Sequence, residues 1–189
     1  MAYYNQNELK KIGFKKIGND VMISNKCSIY NPKNIIIGDN VRIDDFCILS
    51  SGHGGIEIGN NVHIACYVSI IGKEKITLSD FSGISSKVSI YSSNDDYSGE
   101  YLTGPTIPNE YTNVTSKPVF LGKHVVIGSG SVILPGVTLS TGVAVGSMSL
   151  VNKSFDDFMI VGGIPAKFLK DRKKELINLE LTYYKNKTE

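Results

Sequence analysis

Three histidines and one acidic pair are the side chains of this chain with the chemistry to move or hold a proton. Histidine is the usual group for proton transfer near neutral pH, and the sequence has three, His53, His63 and His124. Asp95 and Asp96 stand together in Ser93-Asn94-Asp95-Asp96-Tyr97, a stretch whose side chains suit the binding of a substrate ammonium or sugar hydroxyls. Adjacent aspartates followed by Ser-Gly are equally good turn formers. A lone histidine is more often a surface or packing residue than a catalyst, so the elements that carry these groups must decide between the readings.

Those elements are written in a sixfold repeat. Across residues 121–151 an aliphatic residue returns every sixth position, at Leu121, Ile127, Ile133, Leu139, Val145 and Val151. That period fits neither a 3.6-residue helix nor alternating strands closed by hairpins, but it fits short parallel strands separated by tight corners. The repeat also runs earlier in the chain, where Ile17, Ile37, Ile58 and Leu78 head successive coils about twenty residues apart. The residues beyond three pure hexads fall at the third corner of each coil, and one edge of the resulting prism is therefore loose and polar. Six coils at about 4.8 Å per strand spacing give a height of roughly 29 Å. His63 ends the hexad headed by Ile58 and should point outward from a flat face. His53 and Asn94 share the third corner two coils apart, roughly 10 Å, and His124 lies in the corner of the Leu121 hexad.

The repeat divides the chain into a cap over residues 1–16 with a short helix ended by Gly13, a solenoid over 17–163, and a C-terminal helix within 164–189. Leu169, Leu176, Ile177 and Leu179 give that helix an apolar face, suited to covering the open end of the solenoid. Residues 92–118 break the period and hold Pro105, Pro108, Pro118, Tyr97, Tyr101 and Tyr111. A long loop with such a composition reads as an ordered arm packed on another surface, such as a neighbouring subunit.

Composition removes several classes of function. The chain has 189 residues, 41% of them hydrophobic and 20% charged, with a net charge of +2, which suits one globular domain and gives no basis for nucleic acid binding. Its longest apolar run is far below a membrane span, and residues 1–7 hold no apolar signal segment, so a cytoplasmic protein is expected. Cys27, Cys47 and Cys66 have no CxxC spacing and read as buried reduced thiols rather than metal ligands or a disulfide framework. No metal site is expected.

The hexads in register resemble the hexapeptide-repeat acyltransferases. That resemblance implies an all-β fold, a left-handed parallel β-helix with a long protruding loop and a C-terminal α-helix, assembled as a homotrimer. It also implies acetyl-CoA as acyl donor, lying between two subunits. Gly163-Ile164-Pro165-Ala166-Lys167 is similar to the family's Gly-x-Pro-Ala-Lys element, where the backbone meets pantetheine and the basic residue meets a CoA phosphate, with Lys170 and Arg172 adding charge. Ser129, Gly130, Gly146 and Ser147 fall where the family lays small residues against pantetheine; the alternative is that they only make tight corners. Galactoside and maltose O-acetyltransferases carry a histidine at the root of the big loop, and this chain has Ser93 to Tyr97 there instead. Together with the loop sequence and Ile43-Asp44-Asp45-Phe46, this resembles enzymes that acylate nucleotide-linked amino sugars in O-antigen clusters, of the dTDP-4-amino-4,6-dideoxyglucose type.

The leading expectation is therefore an acetyl-CoA-dependent N-acetyltransferase, with a sugar O-acetyltransferase and a non-catalytic scaffold as rivals. Its site would use His63, His53 or Asp95 in catalysis. Asn94, Asp95, Asp96 and Tyr97 would hold the nucleotide sugar, and Ser129, Gly130, Gly146, Ser147, Ile164, Pro165, Ala166 and Lys167 the CoA.

Overall fold

The computed structural model describes residues 2–188. Isoleucine and valine favour extended backbone because their branched Cβ packs well on a pleated surface, and every parallel strand of the three faces except Thr138–Leu139 carries at least one. The strands stack in three parallel sheets that form the faces of a left-handed triangular prism. Face one holds six strands from Lys16–Ile17 to Thr138–Leu139, and face three holds six from Ser28–Tyr30 to Leu150–Val151. Face two runs from Met22–Ile23 to Met159–Gly163 in seven parallel strands and then gains an eighth, antiparallel, at Ala166–Asp171.

In-register stacking puts the same kind of side chain on the same spot in every coil. On face two Ile23, Ile43, Ile64, Ile84, Ile127, Val145 and Val161 pair one above the next, none more than 4% exposed. Leu9 of helix α1 (Gln6–Ile12) is also buried in this core. Asn5 and Glu8 form a reciprocal capping box at the start of α1, and Gly13 closes it at φ 83°.

The first corner is held by a polar ladder. Each backbone N–H of Asn19, Asp39 and Asn60 donates to the side-chain oxygen of Asp39, Asn60 and Asp80 in the coil above, at 2.7–2.8 Å. This ladder leaves no room beside Gly38, where a Cβ would lie 2.6 Å from the Asn60 Oδ1. The glycine answers a close approach, not a backbone angle.

Two expectations need correction at the C-terminal end. The solenoid has about seven turns rather than six, because Phe155 heads a further tier by bridging to Leu139, and an aromatic there breaks the aliphatic pattern. Residues 166–171 form a strand and not a helix: the chain reverses at Ile164 and Pro165, and Gly163 pairs with Ala166 and Gly162 with Lys167. That antiparallel strand covers the end of face two, whose backbone would otherwise be an open edge. Helix α2 (Leu176–Thr188) instead lies along the flank of the prism, where Glu180 meets Lys123 and His124 and Tyr183 meets Phe81 and Asn61. Met1 of the expected cap and Glu189 of the expected C-terminal segment lie outside the described residues.

The arm has structure of its own. Ser93–Asn94 pairs antiparallel with Thr115–Ser116, Leu102 bridges Thr112, and a 3-10 turn spans Asn109–Tyr111. Tyr97 is 86% exposed and Tyr101, Leu102 and Tyr111 are also exposed.

Candidate active site

Face two carries a groove that begins at His63. The strand His63–Ile64 lies between Arg42–Ile43 and Gly83–Ile84, so the His63 ring stands outward beside a residue with no side chain. His63, Ala65, Gly83, Ser85, Ser86 and Ser129 line much of a cavity of about 410 Å³. The groove stays open because its floor is small: a Cβ on Gly83 would meet only the Val126 Cγ2, at 3.7 Å. Ser86, Ser129 and Ser147 occupy equivalent corner positions on three successive coils, two residues past the paired Ile84, Ile127 and Val145.

His63 is oriented from the coil before it. Its Nε2 is 2.9 Å from the Asp44 Oδ2, and the Asp44 Oδ1 accepts from the Arg42 Nε at 2.7 Å. Burial alone would raise the Asp44 carboxyl, but the hydrogen bonds from Arg42 and His63 outweigh it and hold the group below the usual carboxylate range. An ionised carboxylate only accepts, so Nε2–H donates to Asp44 and the Nδ1 lone pair is left to take a proton.

The expected CoA residues lie along the same edge toward the C-terminal end. Ser129 and Ser147 are exposed at the corner. Gly130 adopts φ 72°, and a Cβ there would lie 2.5 Å from the Met148 Sδ. The Gly146 carbonyl accepts from Ser131 and Ser149, and Ser149 in turn accepts from the Gly163 N–H at 3.1 Å. This ties the corner to the Gly-Gly-Ile-Pro-Ala-Lys hairpin, where Ile164, Pro165 and Lys167 are exposed and Ala166 is buried. From His63 to that hairpin is four strand spacings, about 19 Å.

The remaining candidates are divided. Asp95 lines a second cavity, of about 290 Å³, between the arm and the third corner, together with Lys73, Pro105, Ile107 and Val114. Asp96 accepts from the Ser98 N–H and Oγ at 2.9 and 2.7 Å, which makes it a turn former. Asn94 belongs to the arm's ribbon, and neither Asn94 nor Tyr97 lines the Asp95 cavity. His53 bonds Glu74 at 3.2 Å and lines a separate, charged hollow with Lys15 and Lys75. His124 is only 9% exposed, stacked on Phe81 and bonded to Glu180 at 2.6 Å; it anchors α2. Within one chain the His63 groove and the Asp95 cavity lie on different edges of the prism, with face three between them.

Sequence reasoning missed Gly83, Ser85, Ser86 and the Asp44–Arg42 pair. The signal was there: counting coils from Ser129 back to Ser86, and from His63 back to Arg42, reaches them by register alone. Among the described residues no cluster of His, Cys, Asp and Glu is arranged to hold a metal ion.

No family model matches the chain. It is 53% identical over 183 residues to a dTDP-4-amino-4,6-dideoxy-D-glucose acyltransferase of Escherichia coli, spanning 97% of this chain and 95% of that one. AntD, an N-acyltransferase from Bacillus cereus solved with dTDP and 3-hydroxybutyryl-CoA, superposes with a TM-score of 0.96 at 50% identity over the full length of both chains. A point variant of AntD in complex with dTDP-4-amino-4,6-dideoxyglucose and coenzyme A gives a TM-score of 0.94 at 49% identity, covering 98% of each chain.

Proposed function

This chain belongs to the hexapeptide-repeat acyltransferases, and from that premise we propose that it moves an acyl group from coenzyme A to the amine of dTDP-4-amino-4,6-dideoxyglucose. The observation that carries the reading is the end-to-end match to an N-acyltransferase whose structures hold that sugar and coenzyme A. The groove of small residues on face two supports it, because a thin pantetheine arm needs close approach to backbone. Lys167 beside the hairpin suits a CoA phosphate, and the pantetheine would pass Ser147 and Ser129 to bring its thioester near His63. Acetyl is the acyl group we assign.

The chemistry asks little of the protein. A neutral amine attacks the thioester carbonyl, the carbon–nitrogen bond forms, and the carbon–sulfur bond breaks as the tetrahedral centre collapses. The proton lost by nitrogen passes to the departing thiolate, directly or through the Nδ1 of His63. A sugar hydroxyl would need a base to remove its proton before attack, and no histidine stands at the root of the arm. Asp95 holds and orients the amine.

The groove and the Asp95 cavity are on different edges, so a complete site needs the arm of a second copy, which fits a homotrimer. Substrates of this kind suit an enzyme of the cytoplasm that serves the biosynthesis of surface polysaccharide such as O-antigen. Among the described residues no helix is long and apolar enough to cross a membrane. Release of free thiol with matched amino and hydroxy dTDP sugars tests the reading: the amine should turn over faster, and faster turnover of the hydroxy sugar overturns it.

A further inference from the structure

The end of the prism at which the chain begins concentrates positive charge. Residues 1–34 hold six lysines against Glu8 and Asp20, a net +4, so the remaining 155 residues together carry −2. Of the six, Lys26 is paired with Asp45. Lys10, Lys11, Lys15, Lys16 and Lys33 are exposed, and their ammonium groups have no hydrogen-bond or ion-pair partner among the described residues.

The fold gathers these five at one pole. Lys10 and Lys11 are in the last turn of α1, which lies over the end because its Leu9 is buried in the core. Lys16 begins the first strand of face one, and Lys33 is in the 3-10 turn Pro32–Asn34 of the same coil, whose Pro32 carbonyl accepts from the Lys15 N–H at 3.2 Å. A coil is about 4.8 Å deep, so the helix and the first coil together span roughly one Debye length, about 10 Å at 0.1 M salt. All five ammonium groups therefore act together on a charged surface laid against this end. Tyr30 stands in the same coil, three residues before Lys33, and is 57% exposed; tyrosine suits the boundary between lipid headgroups and acyl chains.

We propose that this pole docks on a membrane surface rich in anionic phospholipid. Lys10, Lys11, Lys16 and Lys33 line none of the cavities described above. Charges spread over an end in this way suit a plane of phosphates better than a nucleic acid strand, which is held in a groove with stacked bases. This goes beyond the acyl transfer proposed above and adds a location to it. Groove and arm of neighbouring copies would meet side by side, and a cyclic threefold of prisms in lateral contact points all three like ends the same way. Each docked homotrimer therefore offers the bilayer three copies of the patch. The Gly163 to Lys167 turn is at the other end of the solenoid, so coenzyme A enters from the aqueous side.

The test is co-sedimentation of the full-length protein with vesicles of phosphatidylcholine alone or of phosphatidylcholine with phosphatidylglycerol. The protein should pellet with the anionic vesicles at low salt, be released at high salt, and stay in solution with the neutral ones. Lys10→Ala/Lys11→Ala and Lys16→Ala/Lys33→Ala, made separately so that each checks the other, should each lower the partition by about fivefold per lysine for a single contacting copy, and by more in the trimer. Their thiol release with acyl-CoA and amino sugar in solution should stay at the wild-type rate, which shows that they fold. Lys153→Ala, which removes one charge near the far end, should leave the partition as it is. Equal pelleting with neutral and anionic vesicles, no pelleting with either, or wild-type pelleting of both double variants overturns the proposal. So does capture of a short DNA duplex at a salt concentration that already releases the vesicles, which would make nucleic acid the partner. Vesicle binding needs neither acyl donor nor sugar, so its failure is read separately from a failure of acyl transfer.

Discussion

His63 and Asp44 form a pair whose parts come from successive coils, so the register of the solenoid fixes the direction of the ring. The arrangement leaves Nδ1 as the acceptor, and the nucleophile we assign is an amine that needs only light assistance. His63→Ala is therefore expected to lower kcat/KM by about 10²-fold, the low end of general-base effects, with the KM for acyl-CoA little changed. Steady-state thiol release checks this, and an unaltered kcat/KM would remove His63 from the reaction. At this scale the sequence was informative where residues repeat and mute where they do not. His63 could be placed on an outward face from its hexad position, whereas its partner Asp44 looked like one of two ordinary aspartates in Ile43-Asp44-Asp45-Phe46. His53 shared a corner with Asn94 as expected, but it bonds Glu74 and lines a different hollow from Asp95.

Helix α2 shows how an element can be legible in composition and illegible in position. Leu169 and Leu176 are seven residues apart and fit one helical face, yet Pro165 turns the chain back and Phe168 pairs with Val161 in a hairpin. Periodicity within the segment carried no record of the strand edge waiting for it. The helix that follows is docked by charge: burial alone would raise the Glu180 carboxyl, and the hydrogen bonds from Lys123 and His124 outweigh this and hold it below its ordinary value. A carboxyl whose folded value is depressed stabilises the docked state above its unfolded value, about 4.3, and loses that contribution as the pH falls through the lowered folded value. The protection of the α2 amides, taken relative to the intrinsic exchange rate at each pH, should therefore be high at neutral pH and fall once the pH passes below the ordinary carboxylate range. Glu180→Gln should already exchange about tenfold faster at pH 7, the scale of one charge-assisted hydrogen bond. A variant that protects α2 as well as the wild type would show that the aromatic contacts of Tyr183 and Tyr184 with Phe81 suffice.

The prism as a whole was the most legible feature, because stacking forces every coil to repeat the same inward positions and a sixfold period has few other solutions. What the sequence could not show is how the arm serves the faces. The paired strands of its ribbon are Ser-Asn and Thr-Ser, with no hydrophobic alternation to mark them, and its tyrosines stay exposed for lack of a surface within the chain to cover them. If the homotrimer completes the site, the groove of one copy works with the Asp95 of the next, and two defects in different chains should complement each other. Gly83→Leu fills the groove from an outward position with room for a Cβ, and Asp95→Asn weakens the hold on the amine. Homotrimers of Gly83→Leu should be inactive and those of Asp95→Asn strongly impaired at low amino-sugar concentration. In trimers reassembled from equal amounts of both, a given interface pairs an intact groove with an intact arm in half of a half of cases, so about a quarter of wild-type activity should return. If each chain's arm instead served its own groove, no chain in the mixture would be intact at both and activity would stay at the average of the two variants. The same result would follow if the chains did not associate, so light scattering on the mixture decides between a wrong interface and no interface.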